Sequence, residues 1–164
     1  MALNITTIKT AFKTLFDGAN SAGASYDLSA GLSERVRTVS TKSPNNYMFG
    51  ADMIPAVAIW TESKKVEMQG ISKDQLLAKR KAAMSFNVAG IVWNSDFSVV
   101  TGDSSDDEIE KLMENIEEVL RSDPTLSKNV LWQHPSDVTY HNLSMSEQMH
   151  YKIGIMTVEC VQYY

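Results

Sequence analysis

Three histidines and one cysteine, His134, His141, His150 and Cys160, are the soft-ligand side chains of the chain, and all lie in its last third. Zinc sites draw on such groups, but their spacing here matches no compact ligand motif, so no metal site is expected. Cys160 sits between Glu159 and Val161 in an apolar run and reads as a buried, inert thiol, because a reactive one needs cationic, partly open surroundings. Gly18-Ala19-Asn20-Ser21-Ala22-Gly23 is bounded by glycines. It has neither the lysine that reaches phosphates nor a strand before it, which leaves a helix end and a loop. Carboxylates crowd between Asp103 and Glu118, a composition that suits acid–base work or a divalent ion. Yet Asp103-Ser104-Ser105-Asp106-Asp107 lacks the glycine pivot and closing glutamate of a calcium loop. Helix capping and solvation account for these acids. Lys79-Arg80-Lys81 is the one basic triplet and is too short to define a nucleic-acid patch. No nucleophile, base and orienting group assemble, so no catalytic residue, cofactor or metal is expected.

The elements that would position these residues follow from periodicity. The chain has 164 residues, 43% hydrophobic and 21% charged, which fits a single domain spanning 1–164. Ile5, Ile8, Phe12, Leu15 and Phe16 share one face of a 3.6-residue period, with Asn4 as N-cap and Gly18 as stop. From 20 to 52 the pattern dissolves, although Tyr26, Leu28, Leu32, Val36, Val39, Tyr47, Met48 and Phe49 are too many apolar residues for a linker. Arg35 and Arg37 alternate with Val36 and Val39, as in an extended arm that orders against another molecule.

Ile54 to Trp60 reads as a strand, and Lys65 to Gln69 alternates as a second one, the two pairing through Thr61-Glu62-Ser63-Lys64 as a hairpin. Residues 72–81 fit either a short helix or the start of a strand. The next run puts Met84, Phe86 and Val88 on one strand face, and Gly90 predicts a bulge. Ser105 and Glu108 form a capping box for a helix whose stripe is Ile109, Leu112, Met113, Ile116, Val119 and Leu120, ended by Asp123-Pro124. Beyond it come Val130 to Trp132, a turn at Pro135-Ser136-Asp137, Val138 to Tyr140, and a long strand from Met149 to Tyr164. The fold class expected is α+β: a mixed or antiparallel sheet packed by an N-terminal helix and a central amphipathic helix, with 20–52 as a long loop or arm.

Charge is unevenly divided. Residues 1–95 carry 11 basic and 7 acidic side chains, net +4, whereas 96–164 carry 4 and 13, net −9. An acidic chain is a poor general nucleic-acid binder, and opposite charge on two surfaces suits head-to-tail contact between copies. The lone cysteine fits a reducing compartment. Met1 to Lys9 has no charged leader followed by an apolar core, so no secretory signal is expected, and no stretch approaches a membrane span.

The order of these elements resembles the tail terminator, or tail completion, proteins of long-tailed bacteriophages. The likeness rests on the N-terminal helix, the Pro55 to Trp60 strand, and the strand from Lys79-Arg80-Lys81 to Trp93. It continues through the Glu108 to Leu120 helix running into Arg121-Ser122-Asp123-Pro124-Thr125-Leu126, Val130-Leu131-Trp132, and the closing Ile153 to Val161 strand. It implies a structural virion protein, assembled in the host cytoplasm, that forms a ring, usually a homohexamer, on the head-proximal end of the tail. Such a ring ends tube polymerisation and joins the tail to the head connector or neck protein. The partners implied are further copies of the chain, the tail tube protein, the connector and, as a further candidate, the sheath protein. DNA passes through the lumen without being read. On that reading Arg35, Arg37, Tyr47, Met48 and Phe49 contact a neighbouring subunit or ring, and deleting residues 31–49 leaves a folded domain that does not assemble. Asp103, Asp106, Asp107, Glu110 and Glu114 are expected on the lumen or an acidic surface. A head-completion or neck protein is the alternative, and a small α+β enzyme a more distant one.

Overall fold

The computed structural model describes residues 4–44, 49–69, 79–93, 105–146 and 149–163. In order along the chain these form α1 (Ile5–Ala19), β1 (Thr38–Ser40), a single 3-10 turn (Ala51–Met53), β2 (Ala56–Gln69), β3 (Lys79–Trp93), α2 (Ser105–Ser122), β4 (Trp132–Ser146) and β5 (Met149–Tyr163). The fold is α+β, with two helices on a five-stranded sheet of order β1-β2-β3-β5-β4. Only β1 and β2 run parallel; every other neighbouring pair is antiparallel.

Asn4 caps α1 as expected, its side-chain oxygen accepting from Thr6 N at 3.0 Å and Thr7 N at 3.4 Å. The helix runs past Gly18 to Ala19 and closes at Asn20, whose N–H donates to Phe16 O at 2.9 Å. Ile8, Phe12 and Phe16 are buried, and the Phe12 ring meets Phe86 of β3 with centroids 5.3 Å apart. All six stripe residues of α2 are buried. Each such side chain contributes about 1.5–3 kcal/mol by leaving water, against about 1 kcal/mol for a good cap. Packing therefore holds this helix more than its termini do.

The helices cover one face of the sheet, where Val57, Ile59, Met84, Phe86, Val88, Met156, Val158 and Cys160 join them in the main core. A smaller cluster of Phe49, Ile54, Ala56, Ala58, Ala89, Ile91, Tyr151 and Ile153 lies on the opposite face. Gly90 and Gly154 are cross-strand partners. A Cβ on Gly90 would come within 2.9 Å of Leu112 Cδ2, and one on Gly154 within 2.6 Å of Met113 Cγ. These two glycines make the depression into which α2 seats. The bulge expected at Gly90 is absent, and the ladder runs through it in register. The glycine is required by the close approach of the helix.

Two further expectations are corrected. The segment from Ile54 to Gln69 is no hairpin: β2 is one strand, pairing with β3 from Ala56 to Gln69 with a register shift between Thr61 and Ser63. Pro135-Ser136-Asp137 is likewise no turn between strands but a shift within β4, between Pro135 and Val138. In both places a long antiparallel neighbour supplies continuous hydrogen bonding, and local turn-forming residues are absorbed as bulges. The 72–78 part of the undecided 72–81 stretch lies outside the described residues, and 79–81 belong to β3.

Candidate functional site

The residues offered for assembly fall on two parts of the molecule. The first is the segment after α1. Its backbone polar groups are tied to the chain's own core by a small network. Asn20 Nδ2 donates to Val36 O at 2.7 Å, Ser29 Oγ donates to Asn20 Oδ1 at 2.9 Å, and Val36 N donates to Ser29 Oγ at 3.0 Å. Buried Asn115 of α2 donates from Nδ2 to Leu28 O at 3.1 Å and Ala30 O at 2.8 Å. Ser33 N donates to the Glu108 carboxylate at 3.0 Å. Leu28, Val36 and Val39 are buried, and β1 pairs with β2 at Ala56 to Ala58.

The described part of 20–52 is therefore packed on its own domain, which corrects the arm expected to order only against a partner. Phe49 is 5% exposed and belongs to the second apolar cluster, so it offers no surface contact. Arg35 and Arg37 are exposed. Arg35 pairs with Asp27 at 3.2 Å and donates to Asn20 O at 2.8 Å, and Arg37 pairs with Glu34 at 2.6 Å. The Asp27 carboxyl is held below its ordinary value by the Ser29 N–H and, beyond that, by Arg35. Tyr47 and Met48 lie outside the described residues.

The second part is the acidic helix. Asp103 lies outside the described residues. Asp106, Asp107, Glu110 and Glu114 are exposed on α2. Asp106 is engaged by the Nζ of Lys152, a residue of β5 that is only 7% exposed. Glu114 pairs with Lys111 at 3.0 Å. Glu110 and Glu114 lie on the β4 side of the helix. Tyr140 of β4 has its hydroxyl pushed up first by burial and then by these two charges.

Among the described residues no three His, Cys, Asp or Glu side chains are placed to share a metal ion. Cys160 is buried, and burial pushes its thiol up to about 12, which keeps it protonated at neutral pH. Among the described residues no helix is long and apolar enough to cross a membrane.

Other surface features carry little sequence signal. An open groove of about 720 Å³ runs between α1 and the end of α2, lined by Thr6, Thr10, Thr14, Leu15, Tyr26 and Val119 among others. Thr10 and Thr14 turn their hydroxyls back to the carbonyls of Thr6 and Thr10, both at 2.9 Å, leaving methyl groups for the groove. Leu131, Trp132, Tyr140 and Tyr163 are large side chains exposed by 54%, 40%, 48% and 39%. They stand at the β4 edge and the adjoining end of β5. Only the sheet order shows that β4 is an edge.

No protein-family model matches the chain, and no curated protein matches it significantly.

Proposed function

We propose that the chain is a structural subunit that assembles head to tail into a ring on the head-proximal end of a phage tail tube, ending tube growth and offering a surface to the head connector. The observation that carries this reading is the separation of charge across the sheet. The basic portion of the sequence builds α1, β1, β2 and β3, and the acidic portion builds α2, β5 and β4. With β3 beside β5 at the centre, the described residues up to 93, with 10 basic and 6 acidic side chains (+4), build one edge of the sheet, and those from 105, with 4 and 10 (−6), build the other edge and the helix α2. A heterologous interface brings two different surfaces together, and opposite charge favours that register over like-with-like contact. The element order on which the resemblance rests adds further support.

The reading is tested by adding the purified chain to polymerising tail tubes and measuring their length by electron microscopy. Growth should stop, with the chain bound at one end of each tube. Tubes that elongate unchanged would overturn the proposal, and binding to portal-bearing heads without tube binding would move the chain to the neck.

A further inference from the structure

Two stretches of sheet edge have no strand beside them among the described residues. One is the outer edge of β4. The other is the outer edge of β2 beyond Ala58, because β1 pairs only at Ala56 to Ala58. From Val138 to Ser146, β4 contains no charged residue, proline or glycine, and Thr139, Tyr140, His141 and Asn142 are exposed. Folded proteins ordinarily blunt an edge of this length with charge, proline or a bulge. Here the proline lies before Val138 and the next register shift comes only between Ser144 and Ser146, leaving the ladder regular from Val138 to Ser144 and that stretch suited to receiving a strand.

Charge and direction select the partner. Beside β4 stand Glu110 and Glu114 of α2; on the open part of β2, Glu62 accepts from Asn87 and Lys65 pairs with Glu67 at 2.8 Å on the face away from the helices, while exposed Lys64 stands on the helix side. A two-fold pairing of β4 with β4 would set the acidic helices of both copies side by side. Following the sheet from β2 through β3 and β5, β4 runs antiparallel to β2. A second copy in the same orientation therefore presents the open edge of β2 antiparallel to β4. Tyr140 and Lys64 face the same side of the sheet, since their cross-strand partners Gly154 and Met84 both point toward the helices.

We propose that β4 of one copy adds as an antiparallel strand to the open edge of β2, beyond Ala58, in the next copy, making the sheet continuous from subunit to subunit. The main-chain bonds give the contact its affinity, and the attraction of Glu110 and Glu114 for Lys64 gives it its direction. This deepens the ring reading and rests on it for the identity of the partner.

The test uses Tyr140→Cys and Lys64→Cys in separate full-length chains, joined by a short bismaleimide. Buried Cys160 is protonated and does not compete. Mixed chains should give a crosslinked dimer and Tyr140→Cys alone should not. Glu110→Lys with Glu114→Lys should weaken assembly at least tenfold, and combining them with Lys64→Glu should recover at least part of it. Dimers of Tyr140→Cys alone, or charge variants that neither weaken nor rescue, would overturn the proposal. Wild-type rings without the mixed crosslink would overturn the edge pairing and leave the ring reading standing. A wild-type chain that stays monomeric, alone and with tail tubes, would overturn both.

Discussion

Asp123 shows how one side chain fixes a segment that the sequence marks only as the end of a helix. Its carboxylate accepts from Ser127 N at 2.6 Å and Thr125 N at 3.2 Å. It thereby holds Leu126, Ser127 and Lys128 in the left-handed region, with φ of 47°, 55° and 70°. Three successive non-glycine residues there are costly and persist only when the surroundings over-determine them. Asp123→Ala should therefore destabilise the domain by about 1.5–3 kcal/mol, the range for a hydrogen bond to a charged group, measured by urea unfolding. Burial raises the Asp123 carboxyl, but the bonds from Ser127 and Thr125 outweigh it and leave the group below its ordinary 3.8. The stabilisation is thus present above that pH and lost as the pH falls through the lower, folded value. The wild type should lose stability in that acid window more steeply than Asp123→Ala. Gly154 is the other sensitive position. Gly154→Ala should cost about 1–3 kcal/mol by pushing Met113 out of its place, with the strands themselves still formed by circular dichroism.

At the scale of elements, both helices and the final strand were legible because their apolar periods are long and uninterrupted. β2 and β4 were broken in two by Thr61-Glu62-Ser63-Lys64 and Pro135-Ser136-Asp137, residues that favour turns in isolation. Long-range pairing with β3 and β5 overrides that preference, and no local signal reports it. The 20–52 segment was misjudged for a related reason. Its buried side chains follow no period, because Asn20, Ser29 and Asn115 place them one by one through side-chain hydrogen bonds. Deleting residues 31–49 should consequently not leave a folded domain. It removes β1 with the buried Val36, Val39 and Phe49, and large-to-small losses at single core sites already cost about 2–5 kcal/mol. Loss of the cooperative thermal transition is the expected result. Leu28→Ala, a milder change at the same anchor, should fold with a lowered Tm.

At the scale of the whole molecule, what the sequence carried was the charge division, and what it lacked was the sheet order that turns that division into geometry. Counting charges placed +4 on residues 1–95 and −9 on residues 96–164. The β3–β5 junction puts the strands built from the first part at one edge of the sheet and those built from the second at the other. Candidate contact residues were less legible: Phe49 is core, Arg35 and Arg37 pair within their own segment, and the exposed Tyr140 and Trp132 gave no sign in one dimension. Raising the salt should weaken association of copies through screening of the two edges, which sedimentation at 0.05 M and about 1 M salt would read. Head-to-tail assembly at a tube end is tested most directly by electron microscopy of the wild-type chain incubated with tail tubes. The predicted image is a closed ring, expected to hold six copies, seated on one end of each tube. Dispersed monomers, two-fold dimers, or tubes with bare ends would contradict it.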